Sequence, residues 1–135
     1  MTRGVGFDAD VLIYAATEGH VLGIPVLRLL EDPSLRRVGS LLLLTEVLAK
    51  PMRDDAESAE TAALLGILAR LDLRPVDEAT ARLALSLAIT YRLRAADAAH
   101  LATAVASGCD VFVTNNRKDF TPTIGEIDIV YPDQI

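Results

Sequence analysis

The stretch GFDADVLIYAA, Gly6 to Ala16, places two aspartates, Asp8 and Asp10, where an apolar strand runs into an apolar helix. RGVGFDA reads as the first strand, and Val11, Leu12, Tyr14 and Ala15 fit a helix starting just after the aspartates. In extended chain, residues i and i+2 point the same way, so Asp8 and Asp10 would stand about 7 Å apart on one side. Two carboxylates at the exit of a core segment mark that exit as a place where charge is needed.

Outward from this junction the chain alternates. His20 to Leu30 reads as a second helix broken by Asp32-Pro33, RRVGS (Arg36–Ser40) as a short strand, and LLLLTEVLAK (Leu41–Lys50) as a helix stopped by Pro51, with Glu46 and Lys50 spaced i,i+4 on one face. Asp54 to Leu71 reads as one long amphipathic helix, and LRPVD (Leu73–Asp77) as a strand in which Pro75 marks an edge or an end. Glu78 to Tyr91 is a further helix, and RAADAAHLATAVASG (Arg94–Gly108) another, stopped by Gly108. DVFVTN (Asp110–Asn115) and IDIVYP (Ile127–Pro132) are strands.

Strands separated by helices of this length imply right-handed crossovers and a parallel sheet covered on both faces. In open sheets of this kind ligands sit beyond the carboxyl ends of the strands. Asp8 and Asp10 close the first strand, Asn115 and Asn116 follow DVFVT, and Asp97 lies in the first turn of its helix, where the dipole favours an anion.

The 135 residues, 51% of them hydrophobic, suit a single domain over residues 1–135, burying roughly two-thirds of the unfolded surface. Apolar runs such as Leu83–Ile89 fall far short of the ~20 residues a bilayer span needs, and two aspartates interrupt any leader-like start, so the reading is a cytoplasmic protein without membrane association. The lone cysteine, Cys109, reads as a small buried side chain beside a strand. A net charge of -6 argues against a broad basic footprint for nucleic acid, with much of the acid in RDDAESAE (Arg53–Glu60), a solvated helix start. A divalent cation would offset the charge locally. Carboxylates gathered in an apolar crevice raise one another's pKa values unless a cation lies between them, and hard oxygen donors with two histidines and no cysteine pair favour Mg²⁺ or Mn²⁺ over zinc.

The segments FDADVLIYA, LLTEVLAKP, DAAHLATAVASGCDVFVTNN and the trailing KDF, in this order and spacing, resemble the PIN domain, specifically the VapC-type toxins of bacterial and archaeal toxin-antitoxin pairs. The resemblance implies a three-layer α/β/α sandwich around a central, mostly parallel sheet. It also implies Mg²⁺- or Mn²⁺-dependent endoribonuclease activity, inhibition by a cognate VapB-like antitoxin, and a homodimer. Position by position, Asp8 and Asp97 match metal-binding aspartates and Glu46 the helical glutamate; the fourth position, an aspartate in many members, falls on Asn116. An amide adds no negative charge there, and Asp119, three residues later, could reach in instead. Asp10 falls on a small polar position and reads either as a helix N-cap or as support for the metal.

Thr114 could bond a carboxylate, a phosphate or local backbone, and Arg117, with Lys118, Arg92 and Arg94, reads as a phosphate grip or as solvated loop charge. His100, i+3 from Asp97, reads as a core or partner-contact histidine before a general base, and Tyr14 as core packing before a base-stacking ring. The long acidic helix and Glu78–Tyr91 would form the clamp for an antitoxin tail that sends a basic residue into the carboxylates. Asn116 leaves open a catalytically weakened domain that mainly binds antitoxin or RNA. A receiver-like phosphoacceptor, suggested by Asp8, Asp10 and Thr114, lacks the mid-chain strand-end aspartate and the late lysine.

Overall fold

The computed structural model describes residues 3–135. Five strands, β1 (Arg3–Phe7), β2 (Leu35–Ser40), β3 (Asp72–Arg74), β4 (Val111–Val113) and β5 (Asp128–Val130), form one sheet in the order β3-β2-β1-β4-β5. Every neighbouring pair is parallel, with Val5 opposite Arg37 on one side and Val111 on the other. The helices are α1 (Ala9–Ala16), α2 (Gly23–Glu31), α3 (Leu43–Asp55), α4 (Ala59–Leu68), α5 (Glu78–Tyr91) and α6 (Ala95–Ala106), and a 3-10 turn spans Pro132–Gln134.

Strand periodicity sorts the core into two layers. Val5, Phe7, Val111 and Val113 point to the face covered by Val11, Leu12, Val26, Leu30, Val47 and Leu64 of α1 to α4. Phe112, one residue out of step, points to the opposite face, where Leu87 of α5, Leu101 and Ala102 of α6, and Phe120 enclose it. This is the expected three-layer sandwich, with a sheet that is parallel throughout. The chain moves outward from β1 to β2 to β3 with α1 to α4 on one face, then α5 and α6 return it over the other face to β4. The direction reverses between β1 and β4, so the crevice of the fold opens at their carboxyl ends. Among the described residues no helix is long and apolar enough to cross a membrane.

Several boundaries differ from the sequence reading. The first helix begins at Ala9, one residue before Asp10, so Asp8 is its N-cap and Asp10 lies inside its first turn. α3 runs through Pro51 to Asp55, although the proline gives up its own N–H and its ring crowds the carbonyl four residues earlier. The acidic stretch is therefore divided between two helices: Ser58 starts α4 by accepting from Thr61 N at 3.0 Å, a cap that a purely amphipathic reading overlooks. Lys50 pairs with Asp54 at 3.3 Å rather than with Glu46, which is engaged elsewhere. Finally, α4 and α5 pack in different layers, on opposite faces of the sheet, so they do not form one clamp. β3 ends just before Pro75 at one sheet edge, as its proline suggests.

Gly6 sets how closely α6 approaches β1: a Cβ on it would lie 2.5 Å from the Ala104 Cβ. Neither methyl can swing away. Gly6→Ala is expected to lower unfolding stability by about 1–3 kcal/mol, and Ala104→Gly in the same chain to recover part of that loss, as read by urea denaturation. Equal losses with and without Ala104→Gly would show that the two positions do not set the spacing.

Candidate active site

Asp8 leaves β1 at the reversal point and is buried, at 4% exposure. Its backbone N–H donates to the Val113 carbonyl of β4 at 2.9 Å, its Oδ1 accepts from Ala9 N at 2.8 Å, and its Oδ2 accepts from Thr114 Oγ1 at 2.8 Å. Thr114 is itself fully buried and accepts from Asn116 N at 3.1 Å. Its hydroxyl is thus spent inside the protein, holding the Asp8 carboxylate in one orientation. Burial raises the Asp8 pKa, against the lowering effect of these bonds.

Asp10, in the first turn of α1, closes the same junction by reaching across to the segment after β4. Its Oδ1 accepts from Val11 N at 2.7 Å and its Oδ2 from Asn115 N at 3.0 Å, which ties α1 to the segment after β4. Burial first, then the charge of Asp8, pushes its pKa up to about 6. Asp97 stands in the first turn of α6, where exposed N–H groups and the helix dipole favour an anion. Burial, then Asp8, Asp119 and Glu46, nevertheless raises its pKa. Asp8, Asp10, Asp97, Asp119 and Glu46 therefore share one electrostatic neighbourhood.

Glu46 reaches that neighbourhood from α3, and His100 Nε2 of α6 donates to its Oε2. Sequence reasoning placed His100 in the core or against a partner and did not foresee this contact; the available signal was its i+3 spacing from Asp97, which puts both on the edge of α6 that faces the crevice. Asn116 does not stand alone: its Nδ2 donates to Asp119 Oδ2 at 2.9 Å, and its Oδ1 accepts from Asp119 N at 3.3 Å. Asp119 is brought to the position where its charge acts on Asp97.

Other candidates are placed differently. Arg117 is tied to Asp133 at 2.6 Å and lies over the Tyr131 ring, 4.2 Å from its centroid. Tyr14 stacks on His20 with centroids 4.3 Å apart, and its hydroxyl accepts from Asn115 Nδ2 at 3.3 Å. Cys109 is half-buried at the far end of β4, and burial pushes its thiol up to about 11, which leaves no reactive thiolate near neutral pH.

The donor set fits a hard divalent cation. Among the described residues no three Asp, Glu, His or Cys side chains are grouped so that they could hold a metal ion together, so a cation would rest on fewer protein ligands. Mg²⁺ is commonly held by one or two carboxylates with water completing its shell, and Asp8 and Asp97, both raised by burial and like charge, would gain from a cation between them.

The raised carboxyls fix the sign of a pH effect. An unfolded aspartate titrates near 3.8 and folded Asp10 near 6, so between these values the native state binds more protons than the unfolded one. Metal-free stability is therefore expected to fall as pH rises through that window. Thermal unfolding across it should show a shallower fall in Asp10→Asn; identical slopes in the two proteins would refute the assignment.

The comparisons with known proteins agree with this architecture. No curated protein matches the chain. Among solved structures, a toxin-antitoxin complex from Klebsiella pneumoniae superposes with a TM-score of 0.76 at 23% identity, covering 98% of this chain and 99% of that one. A VapBC complex from Salmonella typhimurium, bound to DNA, gives 0.75 at 20% identity over 98% and 99%. VapBC2 from Rickettsia felis, bound to a promoter fragment, gives 0.75 at 17% identity over 95% and 98%. The model of the PIN domain matches residues 6–121, and the chain belongs to that family.

Proposed function

We propose that this protein is a divalent-metal-dependent endoribonuclease and the toxin of a VapBC-type pair. PIN domains are in general nucleases, and structures of toxin-antitoxin complexes share this fold. The observation that carries the reading is the gathering of Asp8, Glu46, Asp97 and Asp119 at the reversal point of the sheet, with the first held by Thr114 and the last by Asn116.

Asp8 and Asp97 would hold Mg²⁺ or Mn²⁺. When bound, such an ion acidifies a coordinated water and offsets the charge of a phosphodiester. Thr114 and Ala9 N keep the Asp8 oxygens from turning away, which preserves their direction as substrate enters. Glu46 accepts a proton from the attacking water or orients it. Asp119, presented by Asn116, supplies the charge that Asn116 itself lacks, so the asparagine becomes a holder of the fourth acid. Asp10 supports the junction by binding two backbone N–H groups.

The partner is a cognate antitoxin, as the solved complexes suggest, and a basic side chain entering the carboxylates would inhibit by occupying the cation's place. A homodimer and a cytoplasmic location complete the reading.

Cleavage of total RNA by the purified protein tests it: products are expected with Mg²⁺ or Mn²⁺ and none with EDTA. Silence in both metals, together with tight antitoxin binding, would instead identify a weakened binding module, the reading that Asn116 first suggested.

A further inference from the structure

We propose that His100 is a positioning residue that aims the Glu46 carboxylate into the acidic crevice from the opposite helical layer. The inference rests on the nuclease reading and assigns a role to a side chain outside the acidic set.

Glu46 sits on an exposed stretch of α3, with its side chain 39% exposed, whereas the His100 side chain is fully buried. The two belong to layers on opposite faces of the sheet, and their contact passes over its carboxyl end. A carboxylate oxygen only accepts, so the imidazole donates from Nε2. His100 Nδ1 is buried and has no partner, the only such side-chain atom among the described residues. A proton there would bury a second N–H with nothing to receive it, which fixes the tautomer with Nε2–H and a bare Nδ1.

This is a poor arrangement for a histidine that serves only packing. Buried polar groups are ordinarily satisfied on both sides, and leucine or phenylalanine would fill the same volume without an orphaned nitrogen. The orphan is tolerated where the other nitrogen does something a hydrocarbon cannot. Here it gives a long, half-exposed glutamate a single fixed donor, and the resulting pair lies within electrostatic reach of both Asp8 and Asp97. A flexible Glu46 would spread over many rotamers, few of them directed at the crevice.

A kinetic double-mutant cycle on RNA cleavage, joined to histidine nitrogen spectroscopy, tests the assignment. His100→Leu is expected to lower kcat by about 10- to 100-fold with KM little changed, the range for an outer hydrogen-bond partner. His100→Gln, which keeps an N–H donor, should recover most of that loss. In a Glu46→Ala background His100→Leu should cost nothing further, whereas a merely structural histidine would add its penalty. In the unaltered, metal-free protein the ¹⁵N shifts should show Nε2 protonated and Nδ1 bare; with two histidines in the chain, a His20→Gln sample assigns them. Additive losses, full activity of His100→Leu, or a protonated Nδ1 would each overturn the inference alone. A wild type silent in both metals would overturn the nuclease reading and this role with it. If His100→Leu does not fold, the nitrogen shifts and His100→Gln still decide.

Discussion

Asp97→Asn is expected to cut metal-dependent RNA cleavage by ~10³-fold while leaving the protein folded and, without metal, at least as stable as the wild type. The two halves of this result have one cause. Asp97 stands in the first turn of α6, buried enough that Asp8, Asp119 and Glu46 all raise its pKa. Those repulsions oppose folding at neutral pH, and an amide of the same shape removes them. The same charge would hold the cation, so its removal deprives the site of one of its two ligands. Loss of activity accompanied by a gain in thermal stability is the signature of a functional site kept at a cost to the fold. Rates close to wild type in Asp97→Asn would remove Asp97 from the metal site, and a collapse in stability would mean that its carboxylate supports the helix more than the chemistry. Asp8→Asn would separate less cleanly, because its oxygens also receive Ala9 N and Thr114 Oγ1.

Phe112→Ala carries the largest stability effect. The ring is fully buried in the second core, 5.2 Å from the Phe120 ring at an interplanar angle of 50°, between α6 and the segment that follows β4. Truncation removes a large apolar group and leaves a cavity that a parallel sheet cannot close, since Gly6 and Ala104 already fix the strand-to-helix distance. A loss of about 3–5 kcal/mol is expected in urea denaturation with an unchanged slope. Phe120 ends the turn that carries Asn116 and Asp119, and Phe120 N donates to the Asn116 carbonyl at 2.9 Å. Loosening the core therefore also loosens the turn that carries Asp119. Phe112→Leu, which refills part of the volume, should recover most of the stability; a loss below 1 kcal/mol for alanine would mean that the second core collapses freely.

Much of this architecture was legible in the residues because the signals were local. RGVGF and DVFV are strands by composition, Gly108 stops α6, and Pro75 ends an edge strand where a proline must. The strand-end placement of Asp8 followed from the same pattern. What escaped was decided by competition between local signals or by contacts distant in sequence. Pro51 looked like a stop, yet the helix tolerates it; Ser58 looked like one polar residue among many, yet its hydroxyl begins a helix. No spacing rule pairs Glu46 with His100, because 54 positions separate them and they meet only after the sheet has placed α3 and α6 on its two faces. The same holds for Thr114 and Asp8, 106 positions apart. Asn116 and Asp119 are close in sequence, but their reciprocal bonds depend on the turn between them.

The sheet's two borders, three-residue strands ending beside Pro75 and Pro132, have a consequence for recognition. A border that short offers too few free N–H and C=O groups to template a further strand, from another copy or from a visiting peptide. Binding by β-augmentation is thereby closed off. A protein partner of the kind proposed would therefore be received by side chains on the helical layers and at the mouth of the crevice, surfaces that can vary without disturbing the sheet.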